Sequence, residues 1–187
     1  MRDLYIDCDG VIFNTIDIAF LEMKELGVDI KDQDAITNYF KECDWDKLIT
    51  LGGTINDSIE KIKIIIEENS FNYVAVATHR CSYIEGVIKT NRFKELIPHL
   101  KIITIPKKIG KHFAIPANGN LLIDDALDKI IDWTNHGGIG ILFSTKVDRL
   151  IYPYELGDNN YFITNNLLDS LIVNNLYKEK TYSKMKL

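Results

Sequence analysis

The chain has 187 residues, a net charge of −5 and 46% hydrophobic residues, which is the composition of an ordinary globular protein rather than of a disordered or fibrous one. Because it carries no overall positive charge, it has no general attraction for nucleic acid or for an anionic membrane surface. Its apolar runs fall well short of the roughly 20 residues that cross a bilayer, and three cysteines without paired metal-ligand spacing favour a reducing compartment, so we expect a cytoplasmic protein.

Short apolar segments alternate with helical patterns along the chain. The predicted strands are "DLYI" (3–6), "NYVAVATH" (72–79), "LKIITI" (100–105), "GNLLIDD" (119–125), "GIGILFS" (138–144) and, at an edge, "NYFIT" (160–164). The predicted helices between and after the later strands cover 82–96, 125–135 and about 166–177. Short, nearly continuous apolar strands separated by helices are typical of a parallel sheet covered on both faces. We therefore predict an α/β fold with a Rossmann-like parallel sheet.

The segment from Thr15 to about Ser70 breaks this alternation. It has the pattern of three helices: "TIDIAFLEMKEL", "DQDAITNYFKEC" and "NDSIEKIKIIIEEN", the last with Asp57 and Glu60 placed as a capping box. A crossover between parallel strands needs only about a dozen residues. We predict that residues 15–70 form a small helical cap inserted after the first strand, and that residues 1–14 and 71–187 form the α/β core.

Acidic and polar residues stand at the carboxyl ends of the predicted strands. Asp7 and Asp9 follow the first strand, Thr78 ends the second, and Asp124 and Asp125 end the fourth. In an open α/β sheet, the carboxyl ends of the strands meet at one crevice, so these side chains are expected to lie together. Carboxylate oxygens suit Mg²⁺, which proteins usually hold with one or two carboxylates plus a substrate phosphate. The pattern predicts a site for Mg²⁺ and phosphate.

Several basic residues are candidates for contacting that phosphate. His79 and Arg80 follow the second strand, and a solvated loop is the alternative for both. Lys108 and Lys111 lie between the third and fourth strands. Lys111 is preferred because it would open a short helix pointing into the crevice, but Lys108 fits nearly as well and the choice stays open.

The order of these motifs resembles the haloacid dehalogenase (HAD) superfamily of phosphohydrolases. "DCDGV" is similar to its first motif, Thr78 to the second, a lysine to the third and "LLIDD" to the fourth. The resemblance covers roughly residues 1–14 and 71–145, with the insertion where a helical cap of that superfamily would sit. It implies a Mg²⁺-dependent phosphatase that acts on a small phosphomonoester through an aspartyl phosphate.

The resemblance also implies a role for each position. Asp7 would be the nucleophile, and Asp9 would protonate the leaving oxygen and then activate water. Thr78 would hydrogen-bond a phosphoryl oxygen. The metal would be bound by Asp7, the backbone carbonyl of Asp9 and Asp125, with Asp124 in support. Dehalogenases of this superfamily have no acid at the position of Asp9, so a phosphatase or phosphomutase is favoured.

A narrower resemblance is to the 5'(3')-deoxyribonucleotidase branch, carried by "LLIDDALDKIIDWTNHGGIGILF" and the small helical cap. It implies a (deoxy)nucleoside monophosphate as the substrate. Ala126 stands where that branch often carries a basic residue, which leaves the base and sugar preference open. Phe13, Phe20, Phe40 and Trp45 are candidates for stacking on a base, although most of them are expected in the core of the cap.

The sequence does not support three other kinds of functional site. A cysteine phosphatase needs an arginine six residues after its nucleophile, and Asn14 occupies that position after Cys8. "KKIGK" lacks the Gly-Lys-Ser/Thr ending of a P-loop, and His112 and His136 show no metal-ligand spacing. The alternatives that remain open are a phosphatase or phosphomutase of sugar phosphates or other small metabolites, and a non-catalytic phosphate-binding domain. The expected partner is a small phosphorylated metabolite, with no nucleic acid polymer and no membrane.

Overall fold

Six parallel strands form one sheet in the computed structural model, which describes residues 1–156 and 159–184. The strands are β1 (Asp3–Ile6), β2 (Tyr73–Arg80), β3 (Lys101–Pro106), β4 (Leu121–Asp124), β5 (Ile139–Phe143) and β6 (Tyr161–Thr164). Their order across the sheet is β3-β2-β1-β4-β5-β6, which is the order of a doubly wound Rossmann sheet. The predicted fold class is confirmed, and β6 lies at an edge as expected.

Helices fill the connections between the strands. They are α1 (Thr15–Glu25), α2 (Gln33–Glu42), α3 (Trp45–Gly52), α4 (Ser58–Glu67), α5 (Tyr83–Leu96), α6 (Lys111–Ala114), α7 (Leu127–Asn135) and α8 (Asp169–Lys184), with a 3₁₀ turn at Pro153–Glu155. Helix α3 was not predicted as a separate element. Helix α8 begins three residues later and continues further than the predicted 166–177. Among the described residues, no helix has both the length and the apolar character that crossing a membrane requires.

The sheet is covered on both faces, and β1 shows how. Leu4 and Ile6 point to one face and are fully buried in the larger apolar cluster. Tyr5 points to the other face, where its ring meets the ring of Trp133 from α7 edge-on at 5.8 Å between centroids. Burying a side chain of this size stabilises the fold by about 1.5–3 kcal/mol. A strand packed on both faces must be apolar throughout, which explains the short continuous runs in the sequence.

The inserted segment is divided between two apolar clusters. Helices α1–α3 share a cluster of their own that includes Met23, Phe40 and Trp45. Helix α4 instead buries Ile62 and Ile65 in the same cluster as Leu4 and Ile6 of the sheet. The helical insertion after β1 is present, and its last helix packs with the core. The boundary of the cap at residue 70 remains a prediction, and of the predicted core, residues 157, 158 and 185–187 lie outside the described residues.

The predicted capping box at the start of α4 is wrong. Asp57 has φ of 54°, in the left-handed region, and its side chain makes no capping hydrogen bond. A capping residue normally has extended backbone, which lets its side chain reach the free N–H groups of the first turn. Ser58 is buried instead, and its hydroxyl donates to the carbonyl oxygen of Ile12 at 2.9 Å. This bond ties the start of α4 to the loop after β1.

Candidate active site

The two central strands bring Asp7 and Asp124 together. Strands β1 and β4 are neighbours at the point where the strand order reverses, and the N–H of Asp7 donates to the carbonyl oxygen of Ile123 at 2.8 Å. Crevices at such points are the usual ligand sites of open α/β sheets. Lys111 lies between the two acids, with Nζ at 2.7 Å from Oδ1 of Asp7 and at 2.6 Å from Oδ2 of Asp124.

Helix α6 places Lys111 in this position and leaves Lys108 outside it. Lys111 is the first residue of α6 and is only 2% exposed, whereas Lys108 is exposed to solvent. A buried ammonium is tolerated where carboxylates compensate its charge. Burial alone would lower the pKa of Lys111, but Asp7 and Asp124 outweigh that effect and raise the pKa above its ordinary value. Of the two lysines that the sequence left open, Lys111 is the one that lies among the acids.

A third carboxylate, from Asp125, completes the group. Asp7, Asp124 and Asp125 each offer an oxygen within 4.8 Å of the others, an arrangement that could hold a metal ion. The loop after β1 makes room for Asp125 because Gly10 has no side chain. A Cβ at Gly10 would lie 2.1 Å from Oδ2 of Asp125, and the φ of 76° at this position also favours glycine.

The three carboxylates carry more negative charge than Lys111 neutralises, and their pKa values reflect this. Burial raises the pKa of Asp7 to about 8, with Lys111 opposing the shift and Asp124 adding to it. Loss of surrounding water and the neighbouring charge of Asp124 raise the pKa of Asp125 to about 7, although Asp125 still reaches the surface. A divalent cation would relieve this crowding because its charge favours the ionised form of each acid. The group fits a hard cation such as Mg²⁺.

Asp9 lies beside this group and faces different partners. Its Oδ1 accepts a hydrogen bond of 2.7 Å from the hydroxyl of Thr15, the first residue of α1. Its Oδ2 is in direct contact with Nζ of Lys89, and the hydroxyl of Thr78 lies 3.4 Å from the same oxygen. Thr78 is fully buried. The structure thus brings Asp9 and Thr78 together at the ends of two adjacent strands, as the sequence predicted.

His79 and Arg80 form their contacts with groups other than the carboxylates. Nε2 of His79 lies 2.9 Å from the carbonyl oxygen of Ile109, and burial lowers the pKa of its ring. His79 thus supports the loop that leads to α6. Arg80 lies against Gly86 and lines a surface groove of about 330 Å³ formed by α5 and β3. Neither side chain hydrogen-bonds to the acids, although the charges of Lys111 and Asp124 act on the ring of His79. For both residues the interpretation as phosphate contacts stays a prediction.

Sequence reasoning missed Lys89. It lies in the middle of α5, is fully buried, and bonds to Asp9 and to Oε1 of Glu85, the latter at 2.6 Å. In the sequence, Glu85 and Lys89 are simply an acid and a base four residues apart on a helix, which is typical of an exposed pair. The only signal in the sequence was weak: an apolar residue precedes each of these two, at Ile84 and Ile88.

The histidines without ligand spacing do meet in space. Nδ1 of His112 lies 2.7 Å from Oδ2 of Asp132, and Nδ1 of His136 lies 2.7 Å from the backbone oxygen of the same residue. The two rings stack at 3.6 Å. His112, Asp132 and His136 each offer an atom within 4.8 Å of the others, an arrangement that could hold a metal ion. The expectation from spacing alone, that these histidines form no metal-ligand set, is therefore wrong, because residues of α6 and α7 meet only in the folded chain.

Most of the predicted cap aromatics are buried. Phe13, Phe40 and Trp45 are at most 8% exposed, and Phe40 and Trp45 stack on each other at 5.6 Å between centroids. Phe20 is 39% exposed. Of these four rings, only Phe20 offers a substantial surface to a ligand in this arrangement.

Cys8 is fully buried and burial raises the pKa of its thiol well above the ordinary value, as expected of an unreactive spacer.

Comparison with solved structures shows that several hydrolases have a similar fold. No family model and no curated protein matches the sequence. Among solved structures, the D,D-heptose 1,7-bisphosphate phosphatase from Burkholderia thailandensis has a TM-score of 0.54 at 14% identity, over 92% of this chain and 97% of that one. The corresponding enzyme from B. bronchiseptica, complexed with magnesium and phosphate, has a TM-score of 0.53 at 14% identity, over 96% and 99%.

A HAD-superfamily hydrolase of subfamily IA from Geobacter sulfurreducens PCA is similar to the same degree. Its TM-score is 0.53 at 12% identity, over 92% of this chain and 99% of that one. The protein thus has the fold of HAD-superfamily hydrolases over nearly its whole length. At identities this low, the likeness concerns the fold, and the chemistry must be argued from the site itself.

Proposed function

We propose that this protein is a Mg²⁺-dependent phosphatase in which Asp7 is the nucleophile. The observation that carries the proposal is the position of Asp7 at the end of the central strand β1, bonded to Lys111 and grouped with Asp124 and Asp125. Burying several acids around one lysine is costly unless they bind something positive. A phosphate ester together with a metal ion is the kind of ligand that this combination of charges suits.

In the first step, Asp7 attacks the phosphorus atom. Lys111 holds Oδ1 of Asp7, and we assign the attack to Oδ2. A new bond forms from this oxygen to phosphorus while the bond from phosphorus to the ester oxygen breaks. Asp9 gives its proton to the leaving oxygen, and the hydroxyl of Thr78 would bind a phosphoryl oxygen.

In the second step, water releases the phosphate. Asp9, now a carboxylate, takes a proton from water, whose oxygen attacks the phosphorus of the aspartyl phosphate. The bond between phosphorus and Asp7 breaks, which frees inorganic phosphate and restores both acids. When bound, Mg²⁺ would offset the charge of the phosphoryl group. Asp7, Asp125 and the backbone carbonyl of Asp9 would hold it, with Asp124 in support.

For the substrate, we propose a (deoxy)nucleoside monophosphate. Support comes from the sequence similarity of residues 121–143 to the deoxyribonucleotidase branch and from the small helical insertion after β1. The burial of Phe13, Phe40 and Trp45 leaves Phe20 as the cap aromatic best exposed for contact with a base.

Phosphate release from a panel of substrates tests both levels of this proposal. The panel contains 5'- and 3'-nucleotides, sugar phosphates and p-nitrophenyl phosphate, each with Mg²⁺ and with EDTA. We expect metal-dependent release that prefers deoxynucleoside monophosphates and falls by at least about 1,000-fold in Asp7→Asn. Asp34→Asn, which changes an exposed carboxylate at the start of α2, is the matched control and should be unchanged.

Other outcomes correct the proposal at defined points. Release confined to sugar phosphates would keep the chemistry and reject the nucleotide substrate. Dependence on a bisphosphate activator would indicate a phosphomutase. Phosphate release that survives Asp7→Asn would reject Asp7 as the nucleophile. No phosphate release from any substrate would reject the phosphatase and favour a phosphate-binding domain.

A further inference from the structure

Lys89 is a fully buried ammonium group with two carboxylate partners. It bonds to Glu85, one turn earlier on α5, at 2.6 Å, and it also contacts Oδ2 of Asp9 on the loop after β1. Its Nζ lies 3.4 Å from the carbonyl oxygen of His79 as well. Removing an ammonium from water costs several kcal/mol unless partners compensate it, so this set of contacts defines where Nζ must lie.

The pairing with Glu85 alone would be enough to neutralise Lys89. Glu85 is only 2% exposed, and its second oxygen accepts a 2.6 Å hydrogen bond from the N–H of Cys81. The additional contact between Lys89 and Asp9 is therefore not needed for local charge balance. Its effect is on Asp9, because Lys89 binds one carboxylate oxygen and Thr15 binds the other. Both oxygens of the proposed proton donor are thus held by protein groups.

The cap contributes to the same arrangement through Trp45. The ring of Trp45, the first residue of α3, has its centroid 4.1 Å from Nζ of Lys89. The orientation of this ring is set from within the cap, since its Nε1 donates to the carbonyl oxygen of Phe40 at 3.0 Å. A cation facing an aromatic ring at this distance is attracted to it. Lys89 therefore lies between the cap and the loop that carries Asp9.

We propose that Lys89 is a positioning residue for Asp9, and that Trp45 makes this positioning depend on the packed cap. The inference rests on the proposed phosphatase function. Lys89 and Thr15 fix the carboxyl group of Asp9 so that the proton it carries when neutral is directed at the leaving oxygen. Proton transfer is sensitive to such geometry, because a displaced donor no longer reaches the atom that it must protonate.

The leaving group separates positioning of an acid from a structural role. An alkyl phosphate such as a nucleoside monophosphate needs a proton on its leaving oxygen, whereas p-nitrophenyl phosphate releases a stable anion that needs none. The ratio kcat/KM reports the steps up to alcohol release, so the later attack by water does not obscure the comparison. A variant that only weakens the fold would lower kcat/KM for both substrates by the same factor.

The test is Lys89→Met, assayed on a nucleoside monophosphate and on p-nitrophenyl phosphate with Mg²⁺. We expect kcat/KM to fall at least about tenfold more for the nucleotide than for the aryl phosphate, a part of the 100-fold or more that a general acid supplies. Lys94→Met, on the exposed part of the same helix, is the matched control and should change neither value. If Lys89→Met does not fold, the double variant Lys89→Met/Glu85→Gln removes both buried charges and carries the same expectation.

Trp45→Leu tests the link to the cap. We expect a smaller loss of the same selective kind, about threefold to tenfold greater for the nucleotide. Trp45→Phe keeps a ring near Nζ and should lose less.

Each outcome of these assays either supports or overturns the proposed role of Lys89. A loss by the same factor for both substrates, or no loss for the nucleotide, overturns the role of Lys89 while Asp7→Asn still supports the phosphatase. If the wild-type protein releases phosphate from no substrate of the panel, the proposed function fails and the role of Lys89 fails with it. If it acts only on a sugar phosphate, that alkyl ester takes the place of the nucleotide in the same comparison.

Discussion

Lys111 carries a single positive charge between two acids from different strands. It reaches Asp7 and Asp124 at 2.7 and 2.6 Å while almost completely buried. In this position it can orient Asp7, the proposed nucleophile, and offset charge on an incoming phosphate as a point charge. Lys108, three residues earlier, offers the same charge at the surface. Because Lys108 and Lys111 carry the same charge, comparing variants of the two lysines tests the effect of position alone.

We expect Lys111→Met to lower kcat by at least about 100-fold, because it leaves Asp7 and Asp124 without their shared cation. Lys108→Met should stay within about twofold of wild type, as an exposed charge has little influence at this distance. Steady-state kinetics with Mg²⁺ measures both, and thermal unfolding shows whether each variant is folded. Equal losses in the two variants would contradict the assignment of Lys111.

Gly10 leaves the space that Asp125 occupies. Gly10→Ala would bring a Cβ to 2.1 Å from Oδ2 of Asp125 at a φ of 76°. We expect at least about tenfold weaker Mg²⁺ binding, measured by calorimetry, and a stability loss of about 1–3 kcal/mol from backbone strain.

The control for Gly10 is Gly27→Ala. Gly27 has a similar φ of 71°, and no atom lies within 4 Å of the position that a Cβ would take there, so only the backbone strain is shared. It should lose stability and keep its affinity for Mg²⁺. If both variants bind Mg²⁺ as the wild type does, Asp125 is not part of the metal site.

Among the elements, α4 shows that one inserted segment can serve two packing units. It follows the cap helices in the chain, yet its buried isoleucines pack in the cluster of the sheet. Its first turn is also bonded to Ile12 in the loop after β1 through the hydroxyl of Ser58. Helix α4 therefore supports the loop that carries Asp9 rather than the part of the cap formed by α1–α3.

Two isoleucines on α4 test this assignment. We expect Ile62→Ala to lower the free energy of unfolding by about 2–5 kcal/mol, because Ile62 is fully buried against the sheet. Ile64→Ala, on the 42% exposed side of the same helix, should cost less than about 1 kcal/mol. Denaturant unfolding measures both, and similar small losses would indicate that α4 is only loosely attached to the core.

At the scale of the whole molecule, ionisation of the buried Asp7 lowers the stability of the fold when no metal is bound. The pKa of Asp7 is raised from an ordinary value of 3.8 to about 8 by burial. The folded protein therefore holds this proton more tightly than the unfolded chain does. The contribution of Asp7 to stability is fully present below about pH 4 and is lost as the pH rises through about 8. Lys111 stays charged throughout, since its pKa is raised.

We expect the Tm of the metal-free protein to fall between about pH 5.5 and about pH 8.5, and to fall less in Asp7→Asn, which has no proton to lose. Adding Mg²⁺ at the higher pH should restore the Tm of the wild type and act weakly on the variant, because the ion binds the folded state. Scanning calorimetry in EDTA and in Mg²⁺ measures these differences. The same pH dependence in both proteins would mean that Asp7 is not the group that titrates.

Local patterns were enough to predict the six strands, their parallel arrangement and the acids at their ends. A buried parallel strand must be apolar along its length, and an acid directly after one stands out for that reason. Asp7, Asp9, Thr78, Asp124 and Asp125 were found in this way, and the structure places all of them at the carboxyl ends of β1, β2 and β4. The capping box failed because a favourable pair of residues does not determine the backbone angle at Asp57.

Only the tertiary structure decided which lysine side chains lie beside these acids. The sequence only preferred Lys111 to Lys108 and left the choice open, and in it Lys89 looks like half of an exposed helical pair with Glu85. Their difference lies in burial and in distances to residues as many as 104 positions away in the chain, and a local pattern holds no such information. The sequence by itself thus determined the α/β fold and the acids of the candidate site. The packing of α5, α6 and the cap around β1 determined the charges that surround them, because electrostatic partners depend on position in space rather than on order along the chain.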